Sequence, residues 1–160
     1  MNASVTVRTA QLPDLSVLVR FNQAMALETE GKQLDIEPLT EGVRRVLQKQ
    51  ATAFYFLAES NQQVVASLMV TEEWSDWRAQ RFWWLQSVFV EPTYRRQGIF
   101  SALFNAVQTR AEQQGDVCGV RLYVEKNNRT AQRTYQTLGF SESPYFMYET
   151  SSVNTAPAED

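Results

Sequence analysis

The sequence predicts an α/β protein in which helices flank one mixed β-sheet. Runs rich in β-branched and aromatic residues alternate with stretches of helical periodicity, which is typical of this class. The 160 residues, 44% hydrophobic and 12% aromatic, are enough for one buried core. We therefore expect one domain over residues 1–150. The segment 151–160 is rich in Ser, Thr, Ala, Pro and acidic residues and is expected to be a disordered tail.

The first half of the chain is predicted to contain a strand, two helices and a hairpin. Alternating β-branched residues indicate a strand over residues 5–9, and a helix follows it. A second, short helix is predicted over residues 39–50. Two apolar runs joined by a polar turn, 53–58 and 64–71, indicate a β-hairpin. The helix residues predicted to face the core are Leu15, Leu18, Val19, Leu27, Val43, Val46 and Leu47.

The second half is predicted to alternate strands with helices. The predicted elements are a loop over 72–81, a strand over 82–90, a helix starting just past Gly98, a strand over 120–124, a helix over 129–138 and a strand over 143–149. The strand over 82–90 is apolar almost throughout, which favours a central position in the sheet. The strand–helix–strand order predicts that the strands 82–90 and 120–124 lie side by side in parallel.

The stretch Arg95-Arg96-Gln97-Gly98 stands directly before the helix that follows the central strand. The first N–H groups of a helix have no intrahelical acceptor and its dipole is positive there, so such a place attracts anions. Gly98 allows a ligand to approach the backbone, and two arginines add positive charge. The pattern predicts a phosphate-bearing ligand. Neither the Gly-Lys-Ser/Thr of a nucleotide loop nor a Gly-x-Gly-x-x-Gly turn is present.

Two spaced motifs carry a resemblance to the GNAT acetyltransferases. The run Arg95-x-x-Gly98-x-Phe100 resembles their acetyl-coenzyme A loop, written Arg/Gln-x-x-Gly-x-Gly/Ala, with a bulky Phe100 in place of a small residue. Residues 124–140 are similar to their segment Val-x-x-x-Asn-x-x-Ala-x-x-x-Tyr-x-x-x-Gly-Phe at every marked position. The resemblance covers residues 82–149 well and the N-terminal half only by its order of elements.

The resemblance implies a particular sheet and a particular cofactor site. The sheet would be mixed and mostly antiparallel, with six or seven strands, about four flanking helices, and parallel fourth and fifth strands that splay apart at one end. Acetyl-coenzyme A would enter that opening as co-substrate. The residues implied to contact it are Val88, Phe89, Val90, Arg95, Arg96, Gln97, Gly98, Ile99, Phe100, Asn128 and Tyr135. For Asn128, a simple helix cap is the alternative.

The implied reaction is transfer of acetyl from acetyl-coenzyme A to a primary amine, by direct attack in a ternary complex. Position in the motif makes Tyr135 the candidate general acid for the departing thiolate, with core packing as the alternative. The amine must also lose a proton. Many relatives carry a carboxylate on the fourth strand, whereas this chain has Gln86 and Ser87 there. The candidate oxyanion donor is the Val88 N–H.

The general base and the acceptor site are expected among acidic and aromatic residues. Glu28 is our candidate base, and Glu30, Glu73 or a chain of water molecules are the alternatives. The residues predicted to bind the acceptor are Glu28, Glu30, Trp74, Trp77 and Trp84. Residues 1–80 carry seven Lys/Arg and ten Asp/Glu, whereas residues 91–140 carry seven and four. This division suits a cationic acceptor beside the first region and an anionic cofactor beside the second.

Composition excludes several other classes of protein. The net charge of −3 argues against nucleic-acid binding, and no apolar run approaches the roughly 18 residues of a membrane span. A cytoplasmic location is the default expectation. With no histidine and one cysteine, neither a metal site nor an internal disulfide is expected.

Three functional readings stay open at this point. The first is the N-acetyltransferase, acting on a small-molecule or peptide amine. The second is a non-catalytic domain that binds or senses acyl-coenzyme A, which Phe100 and the missing strand-four carboxylate favour. The third is a protein–protein interaction module. A homodimer is compatible with the aromatic residues.

Overall fold

A computed structural model describes residues 4–151 and shows a five-stranded sheet with strand order β1-β2-β3-β4-β5. The strands are β1 (Val5–Thr9), β2 (Ala53–Ser60), β3 (Gln63–Ser75), β4 (Gln80–Val90) and β5 (Val117–Arg121). The helices are α1 (Leu15–Glu30), α2 (Ile36–Leu47), α3 (Ile99–Gln114) and α4 (Arg129–Thr137), with short 3₁₀ turns at Leu12–Asp14 and Pro92–Tyr94. Apart from Ser151, the predicted tail lies outside the described residues.

Neighbouring strands are antiparallel except for β4 and β5, which are parallel. The chain forms two compact units that divide between Tyr123 and Val124. The first unit contains the whole sheet with α1, α2 and α3, and the second contains α4. None of the helices within residues 4–151 is long and apolar enough to cross a bilayer.

Helices cover both faces of the sheet. On one face, α1 and α2 bury a cluster of apolar side chains against the strands, made of Leu18, Val19, Val43, Val46, Tyr55 and Leu57. Alternate residues of a strand point to opposite faces, so Phe54 and Phe56 of β2 face the other side. There the guanidinium of Arg110 on α3 lies 5.7 Å and 5.2 Å from their ring centroids. The sheet is therefore the middle layer of the first unit.

The prediction that Leu27 faces the core is wrong, because its side chain is 65% exposed. It follows the fully buried Leu18 by nine residues, which at 3.6 residues per turn places it on the opposite side of α1. The spacing from Val19 misled the prediction, since the inward stripe of α1 ends with Ala26.

The predicted loop over residues 72–81 is mostly strand. β3 continues to Ser75 and β4 starts at Gln80, so that only a four-residue turn separates them. The sequence pattern of this stretch is polar and does not indicate a strand, because the side chains that pair across the two strands here are charged. Arg81 donates to Glu72 at 2.8 Å across the two strands.

The six or seven strands expected from the resemblance are not confirmed. Five strands are described within residues 4–151, and β5 starts three residues earlier than predicted. The segment 143–149, predicted as a final strand, has no strand assignment. A strand needs a hydrogen-bonded neighbour, and within the described part of its own unit, residues 124–151, the regular structure is α4 alone.

Candidate functional site

The glycine loop, residues 95–98, connects the end of β4 to α3 through the 3₁₀ turn. Arg96 and Gly98 both have left-handed backbone, with φ of 62° and 78°. The Arg95 N–H donates to Pro92 O at 3.3 Å, and the ladder of α3 begins with the Ala102 N–H bonded to Gly98 O at 3.1 Å. The N–H groups between them lie at a helix start, where no intrahelical acceptor exists. Such successive N–H groups form an anion-binding concavity.

Space beside Gly98 allows close approach to this backbone. A Cβ placed on Gly98 would meet no described atom within 4 Å. Phe100, the bulky residue of the motif, stacks its ring on Phe104 one turn later, with centroids 6.4 Å apart and planes at 12°. The ring thus lies along α3, which explains how a large side chain fits where relatives usually carry a small one.

Arg95 is engaged by the protein itself. Its Nε donates to Val90 O at 2.9 Å, and its two terminal nitrogens donate to the two carboxylate oxygens of Glu28 on α1. Its guanidinium also lies 5.7 Å from the Phe89 ring centroid. Arg96, in contrast, is exposed, and the described residues offer it no ion-pair partner. Of the two predicted arginines, Arg96 is therefore the one available to an anion.

Glu28 is the carboxylate that we predicted as the general base. The hydrogen bonds from Arg95 lower its pKa below the ordinary value. A carboxylate with a lowered pKa accepts a proton poorly from an amine. The base assignment stays a prediction, and this ion pair favours a role in holding Arg95.

Strand β4 extends beyond the end of its parallel neighbour β5. Their pairing runs from Arg81 opposite Val117 to Trp84 opposite Arg121, so residues 85–90 of β4 extend past the ladder with β5. Main-chain amides along such an edge can pair with an extended ligand that carries amides. The predicted contacts at Val88, Phe89 and Val90 lie on this stretch.

A β-bulge distorts β4 within the same stretch. Ser67 of β3 opposes Phe89 and Met69 opposes Gln86, so β4 carries one extra residue, and Ser87 has a φ of 52°. Bulges re-aim backbone groups and are common beside active sites. Propensity and alternation carry no signal for this bulge, and sequence reasoning missed it.

A second cluster of polar side chains lies beside the N-terminal half of β4, around Glu73 of the neighbouring strand β3. Its carboxylate accepts from Trp84 Nε1 at 3.0 Å and from Arg121 at 2.7 Å. The Arg121 guanidinium lies 3.6 Å from the Phe82 ring centroid, and the rings of Trp84 and Tyr123 are 6.1 Å apart. Sequence reasoning missed Arg121, although its place on the strand paired in parallel with β4 was a usable signal.

The other predicted acceptor residues lie elsewhere. Trp74 and Trp77 are 60% and 88% exposed near the turn of the β3–β4 hairpin. Glu30 ends α1, with Lys32 at 3.7 Å. Within residues 4–151 no hydrogen bond joins Glu28 or Glu30 to these tryptophans. The structure thus places Trp84 with Glu73 and not with the acids of α1.

The second unit carries the two remaining candidates. Asn128 accepts from the Ala131 N–H at 3.1 Å and thereby caps α4, as its alternative reading predicted. Tyr135 lies on α4, with the Phe140 ring edge-on at 5.9 Å. Burial raises the pKa of the Tyr135 phenol, so the hydroxyl keeps its proton at neutral pH. This is the protonation state that a general acid requires.

Among residues 4–151 no group of three or more His, Cys, Asp or Glu side chains is arranged to hold a metal ion.

Comparison with known proteins agrees with this geometry. The model of the acetyltransferase (GNAT) family matches residues 21–140. A possible acetyltransferase from Clostridium difficile 630 is 42% identical, with a TM-score of 0.86 over 93% of this chain and 98% of that one. A predicted acetyltransferase with acetyl-CoA from Clostridium acetobutylicum is 19% identical, with a TM-score of 0.75 over 92% and 96%. No match was found among curated proteins.

A ribosomal-protein-alanine N-acetyltransferase from Brucella melitensis biovar Abortus 2308 is 15% identical, with a TM-score of 0.76 over 92% of this chain and 98% of that one. At this identity the likeness concerns the fold alone. The family match and the 42% identical structure show that the chain belongs to the GNAT family of acetyltransferases. The resemblance seen in the sequence is thereby confirmed.

Proposed function

We propose that this protein transfers acetyl from acetyl-coenzyme A to a primary amine by direct attack within a ternary complex. The observation that carries the proposal is the glycine loop, where left-handed backbone at Arg96 and Gly98 opens main-chain donors at the start of α3. The stretch of β4 beyond Trp84, which is not paired with β5, supports it. The structural relative from Clostridium acetobutylicum, described with acetyl-CoA, is consistent with this cofactor.

The cofactor would lie along this end of β4. Donors from Gln97 to Phe100 hold the pyrophosphate, and Arg96 supplies positive charge. The pantetheine arm would pair with main-chain groups of residues 88–90, beside the bulge at Ser87. This arrangement uses the backbone for most contacts.

The reaction needs two proton transfers. The amine nitrogen attacks the thioester carbon, and the Val88 N–H stabilises the oxyanion. The carbon–sulfur bond then breaks, and the Tyr135 phenol gives its proton to the departing thiolate. The role of Tyr135 rests on its place in the family motif. Since Glu28 and Glu73 are both paired with arginines, we assign removal of the amine proton to a chain of water molecules.

The acceptor would bind beside Trp84 and Glu73 at the other end of β4. An aromatic face next to a hydrogen-bonded carboxylate suits the amine of a small molecule or a peptide. The proposed reaction requires neither nucleic acid nor membrane. The cytoplasmic location and the homodimer considered from the sequence stay expectations.

The test is a screen of amines with acetyl-coenzyme A, in which free thiol is measured and the acetylated amine is identified by mass spectrometry. We expect thiol release that depends on the amine and matches the acetylated product in amount. A protein that binds acetyl-coenzyme A but releases no thiol with any amine is a sensing domain instead. Failure to bind acetyl-coenzyme A would refute both.

A further inference from the structure

Helix α1 is attached to the glycine loop through Arg95. This side chain uses three donors within the protein, one to Val90 O at the end of β4 and two to the Glu28 carboxylate. Glu28 lies 67 residues earlier in the chain, so the contact closes a long loop. Bidentate arginine–carboxylate pairs are the most directional of ion pairs, and this one sets the orientation of the guanidinium.

Further contacts connect α1 to the same end of β4. Arg20 donates to Glu91 at 2.7 Å, and the rings of Phe21 and Phe89 lie 4.9 Å apart. Phe21 is 1% exposed and Phe89 5%, so these rings form a buried contact. Of these contacts between α1 and the end of β4, the Glu28–Arg95 pair is the one that involves the glycine loop itself.

The residue after Arg95 needs such support. Arg96 has a φ of 62°, a left-handed conformation that is unfavourable for a residue with a Cβ. Strained backbone of this kind persists only where the surroundings hold it. A fixed Arg95 holds the chain immediately before the strained residue. Without that support, the N–H groups proposed to bind phosphate would sample other directions.

We propose that Glu28 and Arg95 are positioning residues, whose ion pair keeps the glycine loop in the conformation that receives the cofactor pyrophosphate. The contact with phosphate then comes from the main chain and from Arg96. This inference rests on the proposed function, because it assumes that acetyl-coenzyme A binds at the loop.

The substitution Glu28→Gln separates this role from a direct one. If Arg95 contacted phosphate, loss of the Glu28 charge would free its guanidinium, and the affinity for acetyl-coenzyme A would rise or stay the same. If Arg95 positions the loop, the same change weakens binding. We expect the Kd for acetyl-coenzyme A, measured by calorimetry, to rise about fivefold, the upper range for an exposed pair.

A double-mutant cycle sharpens the test. Arg95→Gln should weaken binding by at least as much as Glu28→Gln, because it also removes the bond to Val90 O. Adding Glu28→Gln to Arg95→Gln should change the Kd by less than twofold, since the two side chains act as one unit. Independent effects that multiply would contradict the proposal, as would unchanged or tighter binding by Glu28→Gln alone.

Two further variants serve as controls. Glu41→Gln breaks exposed ion pairs with Arg44 and Arg45 on α2 and should leave acetyl-coenzyme A binding unchanged. Arg96→Gln should weaken binding in a way that diminishes at high salt, because a direct charge contact is screened. If Arg96→Gln has no effect and Arg95→Gln shows the salt dependence, the roles of the two arginines are reversed and the proposal fails.

Hydrogen exchange in the free protein gives a readout without cofactor. Glu28→Gln should speed exchange of the Arg95 and Ala102 amides, which are hydrogen-bonded to Pro92 O and Gly98 O at the two ends of the loop, about fivefold, whereas Glu41→Gln should not. If the wild type fails to bind acetyl-coenzyme A, the proposed function is refuted and the phosphate role of the pair with it. If instead the wild type binds acetyl-coenzyme A, and Glu28→Gln shows the same amide exchange and the same Kd as the wild type, only the positioning role is wrong.

Steady-state kinetics with an acceptor from the amine screen distinguish the positioning role of Glu28 from a role as general base. A positioning residue predicts that Glu28→Gln changes the KM for acetyl-coenzyme A more than kcat. A general base predicts the opposite order of effects. The second result would overturn the proposal.

Discussion

The two ends of strand β4 use arginine–carboxylate pairs in different ways. Beyond the C-terminal end, Arg95 binds Glu28 on α1, and Arg20 of α1 binds Glu91, the residue that follows β4. These pairs join a helix to the loop and hold main-chain donors in position. At the N-terminal end, Arg81 binds Glu72 and Asp116, so the pairs there join one strand to its neighbours.

The difference concerns which charge is left for a ligand. At the C-terminal end the pairs neutralise themselves, but the start of α3 and Arg96 stay positive. At the N-terminal end Arg121 balances Glu73, and Trp84 provides the second hydrogen bond to the same carboxylate. If the acceptor binds there as proposed, its recognition would depend on aromatic faces and hydrogen bonds more than on net charge. The excess of acidic residues in 1–80 therefore overestimates the electrostatic attraction of a cationic acceptor to this region.

The largest effect is expected from Gly98→Val. A branched side chain would occupy the open space beside the backbone and would prefer a different φ than the present 78°. Binding of acetyl-coenzyme A should fall by at least about 100-fold, as measured by calorimetry.

Gly115→Val is the matched control, because Gly115 ends the same helix with a φ of 86° and equally open surroundings. It imposes similar backbone strain away from the loop, so binding should persist at a similarly lowered melting temperature. Equal loss of binding in the two variants would attribute the effect to strain and would remove the glycine loop from the account.

The next largest effect is expected from Tyr135→Phe. The substitution keeps the ring and its contact with Phe140 but removes the acidic hydroxyl. A general acid predicts kcat lower by roughly 100-fold with the Kd for acetyl-coenzyme A nearly intact. A loss of only two- or threefold in steady-state assays would mean that the thiolate leaves without this proton donor.

Tyr55→Phe tests the stability of the buried cluster that packs α1 against the sheet. Burial raises the pKa of Tyr55 to about 12, above the value near 10 of an unfolded chain. The unfolded state therefore loses this proton first as pH rises, and the stabilisation, complete below pH 10, is lost toward pH 12. At pH 11 the loss is about 1 kcal/mol. Urea unfolding at pH 9 and pH 11 should show that loss in the wild type and less of it in Tyr55→Phe.

The smallest effect is expected at the other end of β4, from Glu73→Gln. The variant removes the charge opposite Arg121 while keeping a hydrogen-bond acceptor of the same shape. The KM for the amine should rise about threefold, in the range of an exposed ion pair, and the KM for acetyl-coenzyme A should not change. A change in the KM for acetyl-coenzyme A alone would contradict the assignment of the acceptor to this end of β4 and of the cofactor to the other.

Local physics explains what could be predicted from the sequence. The glycine loop follows from a strand, a turn and a helix start within a few residues, and the parallel pairing of β4 and β5 follows from element order. The Glu28–Arg95 pair could not be predicted, because its residues are 67 positions apart and many acids compete for each arginine. The bulge at Ser87 likewise depends on register with β3.

The most direct measurement is hydrogen exchange of the wild-type protein with and without acetyl-coenzyme A. Binding at the C-terminal end of β4 predicts slower exchange of the amides of residues 97–100, because they become donors to the pyrophosphate. The hairpin turn, residues 76–79, should exchange at the same rate in both samples. Protection at the turn with none at the glycine loop would contradict the account.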